Sequence, residues 1–172
     1  EAASGRGWRD WLDTTVLRPL ALDGISSRTS TVPAAQVSWN HQWDGARWHA
    51  LRPKPDALMH AAGGLVASPR ALARWMRANL DPGGAGRALP AIAWQRSQQP
   101  IAQSKLADGE IDCNGYSLGW YTCSYRGQQA LMHPGSYDGT VSVTVLVPSV
   151  KAGMSVMGSG DSAQEGLRRE MV

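Results

Sequence analysis

From Gly115 onward apolar and polar residues alternate with a period of two, and this change most restricts how the chain can fold. Such alternation is typical of β-strands with one buried face. The pattern predicts strands over residues 116–125, 129–133, 140–147 and 154–158. Turn-forming segments separate them at 126–128 and 148–153. Because short turns join successive strands, we expect an antiparallel meander.

Helical periodicity dominates the earlier part of the chain. Apolar residues in 7–18 fall on one helical face, with Ser4 as the predicted cap and Pro19 as the predicted end. Ser68 and Pro69 predict the start of another helix, which the turn residues 81–84 end. A further short helix is predicted over 92–99, whereas 21–60 is predicted to be a long irregular loop. A capping box at 162–165 predicts a last helix, so the fold class is α+β with helices flanking an antiparallel sheet.

Composition narrows the function. The 172 residues suit one globular domain, with 17 Lys and Arg against 14 Asp and Glu. The arginines are scattered rather than clustered, which argues against a nucleic-acid-binding protein. No window holds eighteen consecutive apolar residues, so nothing in the sequence predicts a membrane span. Cys113 and Cys123 form one local disulfide in an oxidising compartment or remain two buried thiols, and the sequence leaves both alternatives open.

The tetrapeptide His133-Pro134-Gly135-Ser136 lies at the end of a predicted strand. An edge strand of this composition offers free backbone N–H and C=O groups to an extended substrate, and it places an imidazole beside a reacting centre. The simpler alternative for His133 is a half-exposed strand histidine beside a Pro-Gly turn. Tyr137 and Asp138 either line the mouth of a pocket or are plain turn residues, since Asp-Gly is a common turn pair.

Two other groups of residues are weaker candidates. Gly63 and Gly64 either form a pocket wall or allow the chain to enter the helix at Ser68. Loop histidines occur without a carboxylate at ligand spacing, so we expect no metal site and no cofactor. These histidines are His41, His49 and His60. Ser38-Trp39-Asn40 matches a Ser-x-Asn pattern, and we interpret it as a chance match in a loop.

In their order along the chain, these features resemble the C-terminal part of a serine β-lactamase/penicillin-binding protein-like hydrolase of the class C β-lactamase and esterase branch. Residues 4–22 resemble the family helix that ends in a Pro-Leu turn, and 62–75 resemble the loop and helix that flank the active site. Tyr116-Ser117-Leu118-Gly119-Trp120 resembles the family's Tyr-Gly-Leu-Gly-Trp strand. His133-Pro134-Gly135 occupies the place of its Lys-Thr-Gly or His-x-Gly motif, and residues 139–147 and 153–158 resemble its last two strands.

The resemblance implies a β-lactamase/transpeptidase-like fold that is incomplete in this chain. Residues 1–172 would be the C-terminal portion of one domain, with a helical and loop part over 1–112 and the antiparallel strands and the start of the last helix over 113–172. The family uses Ser-x-x-Lys, Tyr-x-Asn or Ser-x-Asn, and Lys-Thr-Gly. This sequence contains neither Ser-x-x-Lys nor Tyr-x-Asn. We therefore expect the nucleophile on sequence upstream of Glu1, and we expect this chain alone to be inactive.

The resemblance also implies roles for residues that are present. The backbone N–H of Ser136 would supply half of an oxyanion hole, while His133 would bond toward the nucleophile or a substrate carboxylate. Gly135 would let the strand approach a substrate closely, with Tyr137, Asp138, Gly63 and Gly64 around it. Pro134 lacks the hydroxyl that often binds a carboxylate here, which favours esterase or peptidase activity over penicillin hydrolysis.

The expected activity is therefore hydrolysis of a small ester, amide or peptide through an acyl-enzyme, in the periplasm or outside the cell. One alternative is a non-catalytic binding module of the penicillin-binding protein fold. The other is an unrelated α+β binding domain, in which the strand of His133 would not border a cleft.

Overall fold

The computed structural model describes residues 4–160 of the chain. Within them, antiparallel strands and a few helices form the expected α+β fold. Two compact units are present, and each draws on two separate segments. The first unit combines the chain up to Ser38 with Pro53–Leu89, and the second combines Trp39–Arg52 with the chain from Pro90 onward. No helix among residues 4–160 combines the length and the apolar character needed to cross a bilayer.

The elements in chain order are α1 (Trp8–Leu12), β1 (Ile25–Ser26), β2 (Asn40–Trp43), β3 (Trp48–Leu51), α2 (His60–Gly63), β4 (Val66–Ala67), α3 (Pro69–Leu80), α4 (Ala91–Gln98), β5 (Ala102–Asp108), β6 (Ile111–Tyr116), β7 (Tyr121–Tyr125), β8 (Gln128–Tyr137), β9 (Thr140–Val147) and β10 (Ala152–Ser159).

In the first unit, α1 continues as a π-helix over Asp13–Leu17, so the predicted first helix is present in two parts. Gly7 occupies the N-cap position without a side-chain hydrogen bond. The prediction of Ser4 as the cap is therefore wrong. The Ser4 hydroxyl instead bonds the backbone of Arg6, because a serine hydroxyl readily binds the peptide groups nearest to it in sequence.

Helix α3 agrees with its sequence prediction at both ends. The Ser68 hydroxyl accepts a hydrogen bond of 3.2 Å from the amide of Ala71, and Pro69 is the first helical residue. The helix ends at Leu80, directly before Asp81. Serine at the cap satisfies an amide that has no partner in the helix, and proline at the first position has no amide to satisfy.

The predicted irregular loop over 21–60 contains a hairpin that the sequence analysis did not predict. Strands β2 and β3 pair antiparallel, with Asn40 opposite Leu51 and Trp43 opposite Trp48. The prediction of a long irregular segment is wrong for this part of the chain. Each strand has only four residues, which is too short for a period of two to be recognised.

Strands β5 to β10 form a six-stranded antiparallel sheet with the spatial order β10-β9-β8-β7-β6-β5. Every strand pairs with its neighbour in sequence, so the predicted meander is confirmed. Strand β9 has the predicted bounds, whereas β5 was not predicted because residues 102–108 show no clear alternation. The last helix, expected from the capping box at 162–165, lies outside the described residues.

One predicted strand is in fact two. Strand β6 ends at Tyr116 and β7 begins at Tyr121, so residues 116–125 are not continuous. Between them the amide of Ser117 donates to the carbonyl of Trp120 at 2.7 Å, and Gly119 has a φ of 93°. Tyr116, Leu118 and Trp120 give the sequence a period of two, but Leu118 is exposed within the turn, so the alternation here does not mark a buried strand face.

Cys113 and Cys123 are joined by a disulfide between directly opposite residues of β6 and β7. Of the two alternatives that the sequence left open, the structure contains the bonded pair. The disulfide belongs to an apolar cluster on one face of the sheet, together with Ile111, Ala130 and Met132. Two of these residues lie on β8, so the cluster fixes the strand that carries His133.

Candidate functional site

His133 lies in β8, half-buried, at the point where that strand loses one of its two neighbours. Strand β7 pairs with β8 only as far as Met132, whereas β9 pairs with it as far as Tyr137. Burial lowers the pKa of His133 from its usual range, and a hydrogen bond with the Pro134 backbone partly opposes this shift. The imidazole is therefore held toward its neutral form, which is the form that can accept a proton.

Two tyrosines surround the imidazole. The Tyr116 hydroxyl lies 3.1 Å from Nε2 of His133. Tyr121 contacts both of the other rings, at 4.9 Å from the Tyr116 centroid and 6.4 Å from the His133 centroid. Tyr116 was not predicted from the sequence as a site residue. Its partner across the turn is Tyr121, and only a correct division of the strand into β6 and β7 would have indicated that pairing.

The turn between β7 and β8 determines which way each β8 amide points. Its two residues, Arg126 and Gly127, have φ values of 47° and 75°, and Tyr125 and Gln128 flank them as partners. The residues that flank a two-residue hairpin loop form a hydrogen-bonded pair, and such pairs alternate along antiparallel strands with pairs that are not bonded. Counting along the ladder makes Met132 a bonded partner of β7.

The turn between β8 and β9 gives the same answer independently. Tyr137 and Thr140 flank the loop as partners, and the alternation then bonds Gly135 and His133 to β9. Pro134 and Ser136 fall on the alternate positions. Their backbone nitrogens face the same side as Met132, beyond the last residue that β7 contributes.

Pro134 fits this arrangement because proline has no N–H to donate. Within a sheet, proline is tolerated where its nitrogen faces an open edge. Ser136 has the same orientation but keeps its amide, and its side chain is exposed. Strand β8 lies inside the sheet, so the expectation of an edge strand is wrong, because β7 pairs with β8 as far as Met132. Beyond that residue the alternation leaves the Ser136 amide without a partner strand on the β7 side, at the position predicted for an oxyanion hole. The catalytic roles of His133 and Ser136 stay predictions.

Gly135 has an ordinary extended backbone, since its φ is not positive. A Cβ atom added at this residue would lie 2.5 Å from the Ser142 hydroxyl on β9. The group that comes closest to Gly135 therefore belongs to its partner strand, β9. Its predicted contact with a substrate remains a prediction.

Tyr137 and Asp138 lie at the tip of the β8–β9 hairpin, next to the β2–β3 hairpin. The buried side chain of Asn40 donates a hydrogen bond of 2.8 Å to the carbonyl of Asp138. The amide of His41 donates to the carbonyl of Gly139 at 3.1 Å. Asn40, part of a motif that we interpreted as a chance match, therefore holds the tip of the hairpin that follows Ser136. That Tyr137 and Asp138 bind substrate stays a prediction.

Gly63 and Gly64 belong to the first unit, at the end of α2. A Cβ atom at Gly64 would collide with the backbone carbonyl of His60, and one at Gly63 would lie 2.7 Å from the Met59 methyl group. Local packing therefore explains why glycine stands at these positions. Their assignment to a pocket wall stays a prediction.

Two of the histidines predicted to lie in a loop belong to strands, His41 to β2 and His49 to β3, and each has a hydrogen-bond partner. His41 Nδ1 lies 2.7 Å from the Ser159 hydroxyl, and His49 Nε2 bonds the carboxylate of Asp44. No carboxylate at ligand spacing was predicted for these histidines, but the β2–β3 hairpin brings Asp44 to His49. Among residues 4–160, no three His, Cys, Asp or Glu side chains are grouped as metal ligands would be.

The model of the family described as Beta-lactamase matches residues 1–171. No curated protein matches the sequence.

Many solved structures share the fold, and the following three are among them. The octameric penicillin-binding protein homologue from Pyrococcus abyssi is 17% identical with a TM-score of 0.76, and the match covers 92% of this chain and 35% of that one. The D-stereospecific amidohydrolase from Streptomyces sp. is 20% identical with a TM-score of 0.74, over 96% of this chain and 47% of that one. The D-amino acid amidase from Ochrobactrum anthropi SV3 is 20% identical with a TM-score of 0.71, over 99% of this chain and 55% of that one. The chain thus spans between about a third and just over half of these structures.

Proposed function

The chain belongs to the Beta-lactamase family, and from this premise we propose that it forms one wall of a serine-dependent acyl hydrolase that works through an acyl-enzyme. Membership of the family removes the alternative of an unrelated α+β binding domain. One observation carries the proposal: the alternation of pairs along β8 leaves the Ser136 amide without a strand partner on its side, next to a half-buried His133. Acyl transfer needs such donors where negative charge develops on the carbonyl oxygen.

The nucleophile of the proposed site is a serine outside these 172 residues. Two facts support this part of the proposal. The sequence contains no Ser-x-x-Lys, and the chain covers 35–55% of the three solved structures of the same fold. In the complete protein the serine oxygen would attack an acyl carbonyl, and the carbonyl oxygen would accept a hydrogen bond from the Ser136 amide. The bond from the acyl carbon to the ester oxygen or amide nitrogen would break, the serine proton would leave with that alcohol or amine, and water would then hydrolyse the acyl-enzyme. His133 would then lie beside the reacting centre.

The proposed substrate is a small ester, amide or peptide. Pro134 stands where a hydroxyl residue would bind the carboxylate of a penicillin-like compound, and proline offers neither a hydroxyl nor an N–H. Two of the three solved structures are named as an amidase and an amidohydrolase. Both facts support an acyl substrate other than a β-lactam.

We place the proposed enzyme in the periplasm or outside the cell. The disulfide between Cys113 and Cys123 supports this assignment, since disulfides persist in oxidising compartments and are rare in the cytosol.

The proposed oxyanion donor is tested by Ser136→Pro in the full-length protein. The substitution removes the amide at 136 but disturbs no pairing with β9, because that amide faces the open side. We expect kcat for a chromogenic ester to fall about 100-fold or more, as on removal of one oxyanion donor. The matched control is Ser136→Ala, which keeps the amide and should retain most of the activity.

Thermal unfolding of both variants separates catalysis from stability. A folded Ser136→Pro variant with wild-type kcat would contradict the proposed role of the amide. If Ser136→Pro does not fold, His133→Ala serves as the second variant, and it should lower kcat while the melting temperature changes little.

The isolated 172-residue chain is expected to hydrolyse no ester, because it lacks the nucleophile. Robust hydrolysis by the pure chain, dependent on His133, would show that the nucleophile lies within it. A full-length protein without activity toward esters, amides or peptides would favour the non-catalytic binding module instead.

A further inference from the structure

The hydroxyl of Tyr116 lies 3.1 Å from Nε2 of His133. We infer that Tyr116 is a positioning residue: its O–H donates to Nε2 and thereby fixes both the orientation and the tautomer of the His133 ring. The inference rests on the proposed function, in which His133 borders the reacting centre.

A second partner of the ring supports one tautomer. Interaction with the Pro134 backbone is among the causes that shift the pKa of His133, and since proline has no N–H, its carbonyl oxygen is the group that would accept from the ring. Because Nε2 is engaged with Tyr116, Nδ1 is left as the nitrogen that donates to this carbonyl. A neutral imidazole carries one N–H and one acceptor nitrogen. Nδ1 therefore holds the proton, and Nε2 accepts from the tyrosine.

Tyr116 is itself held firmly. Its carbonyl accepts a hydrogen bond of 2.9 Å from the amide of Ile101, and its ring packs edge-on against Tyr121 at an interplanar angle of 79°. The next residue, Ser117, is buried and donates from its hydroxyl to the carbonyl of Ser97 at 2.6 Å. A ring fixed at both the backbone and the side chain can hold its hydroxyl at one place, as a positioning residue must.

The groups around His133 do not compete with this contact. Tyr116 faces the ring from the end of β6 and Tyr121 from the start of β7, while the residue opposite on β9 is the uncharged Thr144. Burial is the main cause that lowers the pKa of His133. A hydroxyl donated to Nε2 acts in the same direction, since it stabilises the neutral ring.

These two contacts leave neither ring nitrogen of His133 open to a substrate. With Nδ1–H directed at Pro134 and Nε2 directed at Tyr116, both ring nitrogens are engaged before any substrate binds. Any proton taken up by Nε2 would come through the Tyr116 hydroxyl, which can accept in turn from a second donor. His133 is then oriented by its neighbours rather than by the substrate.

The test is Tyr116→Phe in the full-length protein, with ¹⁵N-labelled histidine and NMR detection of the ring nitrogens. The signals of His133 are assigned by their loss in His133→Gln. In the wild type we expect the proton on Nδ1. In Tyr116→Phe, which keeps the aromatic packing, we expect the titration midpoint of His133 to rise by about half a pH unit, because a donor to the neutral ring is lost. The acid limb of the kcat/KM profile should move upward with it.

Tyr121→Phe is the matched control, because Tyr121 packs against the same ring through a ring contact. Its titration midpoint should stay within about 0.1 of the wild type. A proton found on Nε2 in the wild type, an unchanged midpoint in Tyr116→Phe, or an equal shift in both variants would overturn the inference. If the full-length wild type hydrolyses nothing, the proposed function fails, but the NMR result still decides the role of Tyr116.

Discussion

Gly139 is the residue at which three segments of the second unit meet. Its carbonyl accepts hydrogen bonds from the amides of His41, at 3.1 Å, and Gly160, at 2.8 Å. Its φ is +70°, and a Cβ atom would lie 2.6 Å from the carbonyl oxygen of His41. Both the backbone conformation and the close contact therefore require glycine at this position.

Gly139→Ala is expected to lower the free energy of unfolding by more than Gly127→Ala. Gly127 also has a positive φ, of +75°, but nothing lies within 4 Å of its Cβ position. The difference between the two variants isolates the contact with His41, and we expect it to be about 1–3 kcal/mol. Urea unfolding measures both variants. Equal losses would show that the β2–β3 hairpin moves away at little cost.

Single residues of the candidate site could be found from sequence only where a motif surrounds them. The motif around His133, Gly135 and Ser136 is contiguous, so its position in the last part of a strand could be predicted, although β8 continues to Tyr137 beyond the predicted end at His133. The contact between Tyr116 and His133 could not, because it depends on a turn at Gly119 that the alternation of the sequence concealed. The bond from Asn40 to Asp138 joins residues 98 apart, and no local pattern indicates it.

Among the elements, the β2–β3 hairpin depends on one carboxylate in its turn. Asp44 accepts hydrogen bonds from His49 and from the amides of Arg47 and Ala46. The bond with His49 is the main cause that lowers the pKa of Asp44 to about 2, and the two amides act in the same direction. A group with a lowered pKa in the folded state stabilises that state above its unfolded pKa.

The hairpin should therefore loosen in acid. The contribution of Asp44 is complete above about pH 4, the ordinary pKa of aspartate, and is lost as the pH falls toward 2. Amide hydrogen exchange at Trp43 and Trp48 should accelerate over this range relative to β9. In Asp44→Asn the exchange rate of the hairpin relative to that of β9 should stay constant over this pH range. If this relative rate changes with pH in the variant as it does in the wild type, the assignment to Asp44 is contradicted.

Elements were predictable where they are long and periodic. Strand β9 and helix α3 were predicted almost residue by residue, since eight and twelve residues display their periods fully. Strands β2 and β3 are too short to do so, and β5 carries a register shift between Gln103 and Leu106 that interrupts its alternation. The prediction failed at elements where a bulge or a short length hides the period.

For the molecule as a whole, the disulfide is the one covalent link within the six-stranded sheet of the described residues. It closes a loop with a sequence separation of 10, and both cysteines are buried. We expect Cys113→Ala/Cys123→Ala to lower the free energy of unfolding in urea by about 2–3 kcal/mol, since the unlinked chain gains freedom when it unfolds. The matched comparison is the wild type unfolded with and without reductant. An unchanged free energy of unfolding would show that strand pairing alone holds β6 to β7.

The division into two units has a consequence for anyone who wishes to shorten this protein. The polypeptide passes from one unit to the other after Ser38, after Arg52 and after Leu89. A single cut at any of these crossings leaves at least one unit missing a segment. Cutting after Leu89, for example, yields a C-terminal piece without Asn40 and His41, whose hydrogen bonds anchor the loop after Ser136. A shortened protein should therefore keep both segments of the unit that it is meant to contain, or the missing segment should be added as a separate peptide.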